Sequence, residues 1–302
     1  MRIGRTAIIA AVAAVSVLVG ACGDDGDRTA APASDRSTGT PPTQSAGARY
    51  AHLGDSFAAG SGIDPTVPDS PAMCLRSQLN FGRLVAARRG VAPADFADVS
   101  CGAATTAALS TDQFFGVPPQ VDVLGARTEL VTLLIGGNDD RLFADVVADC
   151  ASAAVDDLLG QPCRAKFGNG FDERVDDDVA PALDDAVALV HRRAPHARLL
   201  VVGYPRILPE HRGCFPVMRI ATGDVAYVNE VAVRLNRAIA TAARAHGATY
   251  VDMWSVSQGH DACAGLEQRW VEPMMGSRIR TTVHPNAAGQ RAMADAVTAA
   301  LR

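Results

Sequence analysis

Lysine is nearly missing: Lys166 is the only one, and the remaining positive charge is scattered arginine within a net charge of -5. Such a chain has no basic stripe to lay along a phosphate backbone, which excludes a nucleic-acid partner. The longest apolar run, Ala7 to Val19, is shorter than the roughly 20 residues that cross a bilayer. There is no C-x-x-C, no Walker A loop, no G-x-G-x-x-G after a strand and no H-E-x-x-H. Zinc, thioredoxin-type, NTP and NAD chemistry therefore lack their residues, and no cofactor and no metal is expected. The chain also has no internal repeat.

What is present begins at the N-terminus. Arg2 and Arg5 precede the short apolar run, the pattern of a secretory signal. It ends in Val19-Gly20-Ala21-Cys22, which resembles the lipobox of bacterial lipoproteins. That resemblance implies that residues 1–21 are a leader and that Cys22 carries lipid, anchoring an exported protein on the extracytoplasmic face of the cell membrane. The alternative is an ordinary small-residue cleavage site with Cys22 there by chance. From Gly23 to about Ala48 the chain is Asp, Gly, Ala, Pro, Ser and Thr with almost nothing to bury. Residues 22–48 are expected to be a tether with a root-mean-square reach of roughly 30 Å. One catalytic domain is expected over 49–302.

Cys22 aside, six cysteines remain in what reads as an exported chain, an even number that predicts three disulfides. The loop-closure cost favours near neighbours, hence Cys74 with Cys101, Cys150 with Cys163 and Cys214 with Cys263.

Strand-like apolar runs alternate with helical periodicity. The strands are expected at 50–53, 97–101, 130–135, 199–202 and 250–252, and the helices at 78–89, 179–193, 225–245 and 286–301. That alternation predicts an α/β fold with a parallel sheet. Within 225–245, Val225, Val228, Ala232, Leu235 and Ile239 share a face, Asp224 is placed to cap the start and Gly247 to end the helix. Asp176-Asp177-Asp178 lacks the spacing of a calcium loop and reads as a solvated helix start.

The carboxyl ends of parallel strands line a ligand crevice, and three loops here would lie there. Ser56 follows the first strand, Cys101-Gly102-Ala103-Ala104-Thr105-Thr106 the second, and Gly136-Gly137-Asn138-Asp139 the third. A hydroxyl nucleophile, small residues with approachable N–H groups and an amide donor make an acyl-transfer site with an oxyanion hole. His284, opening the last helix, can return to serve as base. Gly-Asp-Ser alone is common in turns, and Asp55 reads as a turn former. Asp139 reads as a cap for a helix starting near Leu142. His260 is a rival base, although a histidine in such a loop is more often structural.

Four blocks carry a family resemblance. Gly54-Asp55-Ser56, the Cys101 loop, Gly136-Gly137-Asn138-Asp139 and His284-Pro285-Asn286-Ala287-Ala288-Gly289 resemble the nucleophile, glycine, asparagine and histidine blocks of the SGNH, or GDSL, hydrolases. Cys74-Leu75-Arg76-Ser77, Gly203-Tyr204-Pro205 and Gly259-His260-Asp261-Ala262-Cys263 resemble its secreted three-disulfide esterase and lipase branch. The resemblance runs from about Tyr50 to the C-terminus. It implies a three-layer α/β/α sandwich with a central parallel, flavodoxin-like sheet, the same three disulfides, and a serine esterase or lipase acting on an acyl ester or lipid as a monomer. It further implies Ser56 as nucleophile, His284 as base, and an oxyanion hole from the N–H groups of Ser56 and Gly102 or Ala103 with the Asn138 amide.

Two positions depart from the family pattern. Ala103 stands where a glycine is usual, and Thr281 where many members carry an Asp that orients the base. Some members of this branch use a main-chain carbonyl for that purpose, which points to the carbonyl of Thr281. Two further readings are a carbohydrate O-deacetylase acting on envelope glycans and a surface binding lipoprotein without chemistry. The α/β-hydrolase alternative fails, because its elbow needs a second glycine where Ala58 stands.

Overall fold

The computed structural model describes residues 46–302; the leader, Cys22 and all but the last residues of the expected tether lie outside them. Hydrogen bonds to the domain begin at Ala46, whose carbonyl accepts from Arg127 N–H, and continue at Ala48, whose N–H donates to the Val123 carbonyl. Among the described residues no helix is long and apolar enough to cross a membrane.

Five strands, β1 (Tyr50–Gly54), β2 (Phe96–Asp98), β3 (Leu130–Leu134), β4 (Arg198–Val202) and β5 (Thr249–Val251), form one sheet in the order β2-β1-β3-β4-β5. Every neighbouring pair is parallel. The central strands β1 and β3 are buried along their whole length, and a parallel sheet needs that because helices cover both faces. The helices are α1 (Ser56–Ala59), α2 (Phe81–Arg88), α3 (Leu142–Ala153), α4 (Pro162–Phe167), α5 (Gly170–Arg174), α6 (Ala180–Arg193), α7 (Val225–Ala245), α8 (Met253–Val256) and α9 (Ala287–Ala300). α2 packs with α9, and α6 with α7. Right-handed crossovers put these pairs on opposite faces, because the chain moves one way from β1 to β2 and the other way from β3 to β5. The result is a three-layer α/β/α sandwich.

β2 is shorter than its apolar run suggested. Its ladder nonetheless continues, since Val99 N–H donates to the His52 carbonyl and Cys101 N–H to that of Gly54. α4 and α5 have no counterpart in the sequence pattern, being one to two turns each; residues 175–179, with the three aspartates exposed, form a widened turn between α5 and α6. Asp224 does not cap α7. Its carboxylate accepts instead from the N–H groups of Cys163 and Arg164, at 2.8 and 3.0 Å, at the start of α4. Gly247, at φ +68°, ends α7 in the left-handed region that glycine enters without cost.

Buried polar side chains lock the sheet to the elements around the crevice. His52, fully buried on β1, bonds through Nδ1 to the Thr132 hydroxyl at 2.8 Å and donates from Nε2 to the Ala58 carbonyl at 3.0 Å. Burial lowers its pKa, so the ring stays neutral. The Gln120 amide clamps both backbone groups of Gly54, and the Gln290 amide of α9 bridges the Phe57 carbonyl of α1 to the Phe81 N–H of α2. Disulfides join Cys74 to Cys101, Cys150 to Cys163 and Cys214 to Cys263.

Candidate active site

β1 ends at Gly54, and Asp55 starts the one-turn helix α1 by accepting the Phe57 N–H at 2.8 Å. This turn places Ser56 at the carboxyl edge of the sheet, 9% exposed. Its Oγ lies 2.8 Å from Nε2 of His284, 228 positions further along the chain. On the other side of the ring, Nδ1 is 2.8 Å from a main-chain carbonyl. A carbonyl can only accept, so Nδ1 carries the proton and Nε2 is left free to take one from the serine hydroxyl.

That carbonyl belongs to Thr282, not to Thr281. The reason is Val283, which stands at φ +59° and so folds the preceding peptide back toward the ring two residues on. A left-handed β-branched residue costs about 1–2 kcal/mol and persists only where its surroundings over-determine it. Here they do. Val283 is buried, its N–H donates to the Glu272 carbonyl, and Glu272 N–H donates to the His284 carbonyl, both at 2.9 Å. Thr281 instead lies against Gly62, where a Cβ would stand 2.5 Å from Thr281 N.

The Glu272 side chain had no sequence signal, since it sits in no motif. It is wholly buried and paired with Arg269, Asn286 Nδ2 and the Arg278 N–H. Burial alone would raise its pKa, but these donors hold it below the ordinary carboxylate value. Asn286 in turn caps α9 through the N–H groups of Ala288 and Gly289. Glu272 thus holds the turn that carries His284 through its backbone, while its carboxylate ties down Asn286 two residues further on.

Two further loops follow β2 and β3, the strands on either side of β1. The Gly102 N–H is not available to an oxyanion, because it donates to the Cys74 carbonyl at 2.9 Å. Ala103 follows at φ +61°, is exposed, and its N–H has no acceptor among the described residues. Of the two N–H groups only that of Ala103 is thus without an acceptor, and Ala103 adopts the left-handed conformation that glycine enters most easily. Asn138 Nδ2 donates one hydrogen to the Ala104 carbonyl at 3.0 Å, which leaves the other free. Asp139 is not a helix cap: its buried carboxylate accepts from the Thr106 N–H at 3.1 Å and from its hydroxyl, joining the asparagine loop to the Cys101 loop. Burial raises its pKa.

His284 is buried against Phe57 and Phe143, with ring centroids 4.7 and 5.8 Å away. Desolvation lowers its pKa to about 4, while the bond to Thr282 pulls weakly the other way. His260 is engaged elsewhere, stacked on Trp270 at 3.9 Å and donating from Nδ1 to the Gln268 carbonyl. Beyond Phe143 lies an almost wholly apolar cavity of about 60 Å³ between α3 and α7, with Val146, Leu208, Met218 and Leu235 among its walls. It shares Phe143, Gly137 and Tyr204 with the site.

Comparison with known proteins shows the family. Residues 52–292 match the GDSL-like lipase/acylhydrolase family. The chain is similar to Lipase 2 of Streptomyces coelicolor, 44% identical over 249 residues that make up 82% of this chain and 83% of that protein. Phospholipase A1 of Streptomyces albidoflavus NA297 has a similar structure, with TM-score 0.70 and 30% identity over 84% of this chain and 99% of that one. An extracellular lipase from Streptomyces rimosus gives TM-score 0.69 and 26% identity, again over 84% of this chain and 99% of that one. The chain belongs to the GDSL-like lipase/acylhydrolase family, and it is a carboxylic ester hydrolase.

Proposed function

We propose that the enzyme cleaves acyl esters through a Ser56–His284 dyad, and the observation that carries this reading is the 2.8 Å contact between Oγ and Nε2. Ser56 Oγ attacks the ester carbonyl carbon as Nε2 takes its proton. The carbonyl oxygen, now an oxyanion, is met by the N–H groups of Ser56 and Ala103 and the free Nδ2 hydrogen of Asn138. Collapse breaks the bond to the alcohol, which leaves with the proton from Nε2, and water repeats the sequence on the acyl-enzyme. The Thr282 carbonyl fixes the tautomer but is neutral, so it stabilises the imidazolium less than a carboxylate would.

The acyl group is a medium or long aliphatic chain. The cavity beside Phe143 favours this over O-deacetylation of glycans, since its walls are apolar side chains that can bury methylenes an acetyl group lacks. Ester or lipid substrates are also in keeping with the relatives named lipase and phospholipase A1. A fluorophosphonate probe tests the reading: it should label the wild type on Ser56 and leave Ser56→Ala unmodified. Absence of labelling on a folded wild-type protein would remove Ser56 as the nucleophile.

Export and membrane anchoring are part of the proposal. They rest on the leader and on the lipobox ending at Cys22, and are in keeping with the S. rimosus relative being an extracellular lipase. Metabolic labelling with palmitate should be lost in Cys22→Ala. All site residues come from one chain, which favours a monomer; a dimeric mass in light scattering would contradict it.

A further inference from the structure

We infer that Tyr204 is a positioning residue: its phenol holds the turn that carries Ser56 at a fixed spacing from the loop that carries Asn138. Tyr204 lies just past β4 and is 5% exposed. Its hydroxyl donates to Asp55 Oδ2 and accepts the Gly137 N–H at 2.8 Å. Asp55 immediately precedes the nucleophile, and its other oxygen caps α1; Gly137 immediately precedes Asn138. A single oxygen atom therefore stands between the attacking group and the amide donor, one residue removed from each.

Several features show that this contact is built. A Cβ on Gly137 would stand 2.9 Å from Cζ and Oη of Tyr204, so the close approach requires glycine there. The Tyr204 backbone is held from α7, where the buried Asn236 amide accepts its N–H at 2.8 Å and donates to its carbonyl at 3.2 Å. The ring packs edge-on against Phe57 at 5.1 Å. Burial and the adjacent carboxylate keep the phenol protonated, its pKa being raised well above the ordinary value. A protonated phenol can donate to Asp55 while still accepting from Gly137.

Oxyanion donors act through where they point, so a spacing error in a donor reduces turnover before it reduces binding. The inference rests on the proposed role of Asn138, and the test separates the two. Tyr204→Phe keeps the ring against Phe57 and removes only the oxygen. It should lower kcat about 10- to 100-fold with KM within about twofold of wild type. Asn138→Ala should lose about 10²–10³ in kcat. In the Asn138→Ala background, Tyr204→Phe should cost less than about twofold, because it acts through the donor that is already gone. Additive losses, or a folded Tyr204→Phe with wild-type kcat, overturn the inference while leaving the dyad intact. A wild-type rate in Asn138→Ala instead overturns Asn138's place in the oxyanion hole. Should Tyr204→Phe not fold, a second variant at Asp55 serves in its place. Asp55→Ser keeps a helix-capping oxygen, has no second oxygen to take the phenol proton, and should give the same kcat-only loss; a wild-type kcat in Asp55→Ser also overturns the inference.

Discussion

The Thr282 carbonyl and the His284 ring, two residues apart, face each other at 2.8 Å because Val283 between them adopts φ +59°. The partner of the ring's Nδ1 is therefore backbone, set by a local turn. Removing a side chain at this point does not remove the acceptor. Thr282→Ala and Thr281→Ala should each keep kcat within about threefold of wild type, since a lost catalytic interaction would cost far more. A hundredfold loss in folded Thr282→Ala, measured by steady-state ester hydrolysis, would show that the hydroxyl and not the carbonyl orients the ring.

The pH profile follows from the burial of the same ring. A base must be neutral to accept a proton, and with its pKa lowered to about 4 the imidazole is neutral across the acid range. The acid limb of kcat/KM should fall near pH 4 instead of near the ordinary histidine value of about 6.5. Stability moves in the same direction. The unfolded chain takes up a proton on this histidine as pH falls through about 6.5, while the folded chain does not until about 4, so its contribution is lost progressively over that window. Asp55 has the opposite sign: burial, opposed by the Tyr204 and Phe57 bonds, raises its folded pKa to about 7, so its contribution declines as pH rises toward that value. A kcat/KM limb at pH 6 or above would mean a solvated base.

Ala103 pays a conformational cost at φ +61° that glycine would not. Its N–H is the group proposed to meet the oxyanion, and glycine retains it. Ala103→Gly should therefore leave kcat nearly unchanged and stabilise the fold by about 1 kcal/mol, read as a small rise in Tm. A lowered Tm, or a kcat reduced tenfold, would indicate that the alanine methyl packs or orients something in the site.

The cavity between α3 and α7 should set chain-length preference. Ala232→Phe projects a ring into it from α7. With the volume filled, kcat/KM for a p-nitrophenyl ester of a long acyl chain should fall at least tenfold, while the acetate ester should be hydrolysed as before. That size follows from about 0.8 kcal/mol per methylene no longer buried. Equal losses on both esters would mean that the chain binds elsewhere.

Much of this site was legible in the chain because each of its blocks is local. Gly54-Asp55-Ser56 ends a strand and begins a helix, and Asn286 begins the last helix, so Ser56 and His284 could each be placed from short-range pattern. Cysteine spacing and the loop-closure cost were likewise enough to choose the disulfide partners.

Decisions that depended on a third element were not legible. Thr281 and Thr282 cannot be told apart without the twist at Val283, which is maintained by Glu272 from another segment. Gly102 and Ala103 cannot be told apart until the Cys74 carbonyl, across the disulfide loop, is seen to take the N–H of Gly102. Asp139 and Asp224 both looked like caps for the helix next in sequence, yet one binds Thr106 and the other caps α4. Local composition determined which groups are available and on which element each begins. Only the packed fold decided which of them remain free, because a hydrogen-bonding group is committed by whichever partner lies nearest in space, and that partner is often far away in the chain.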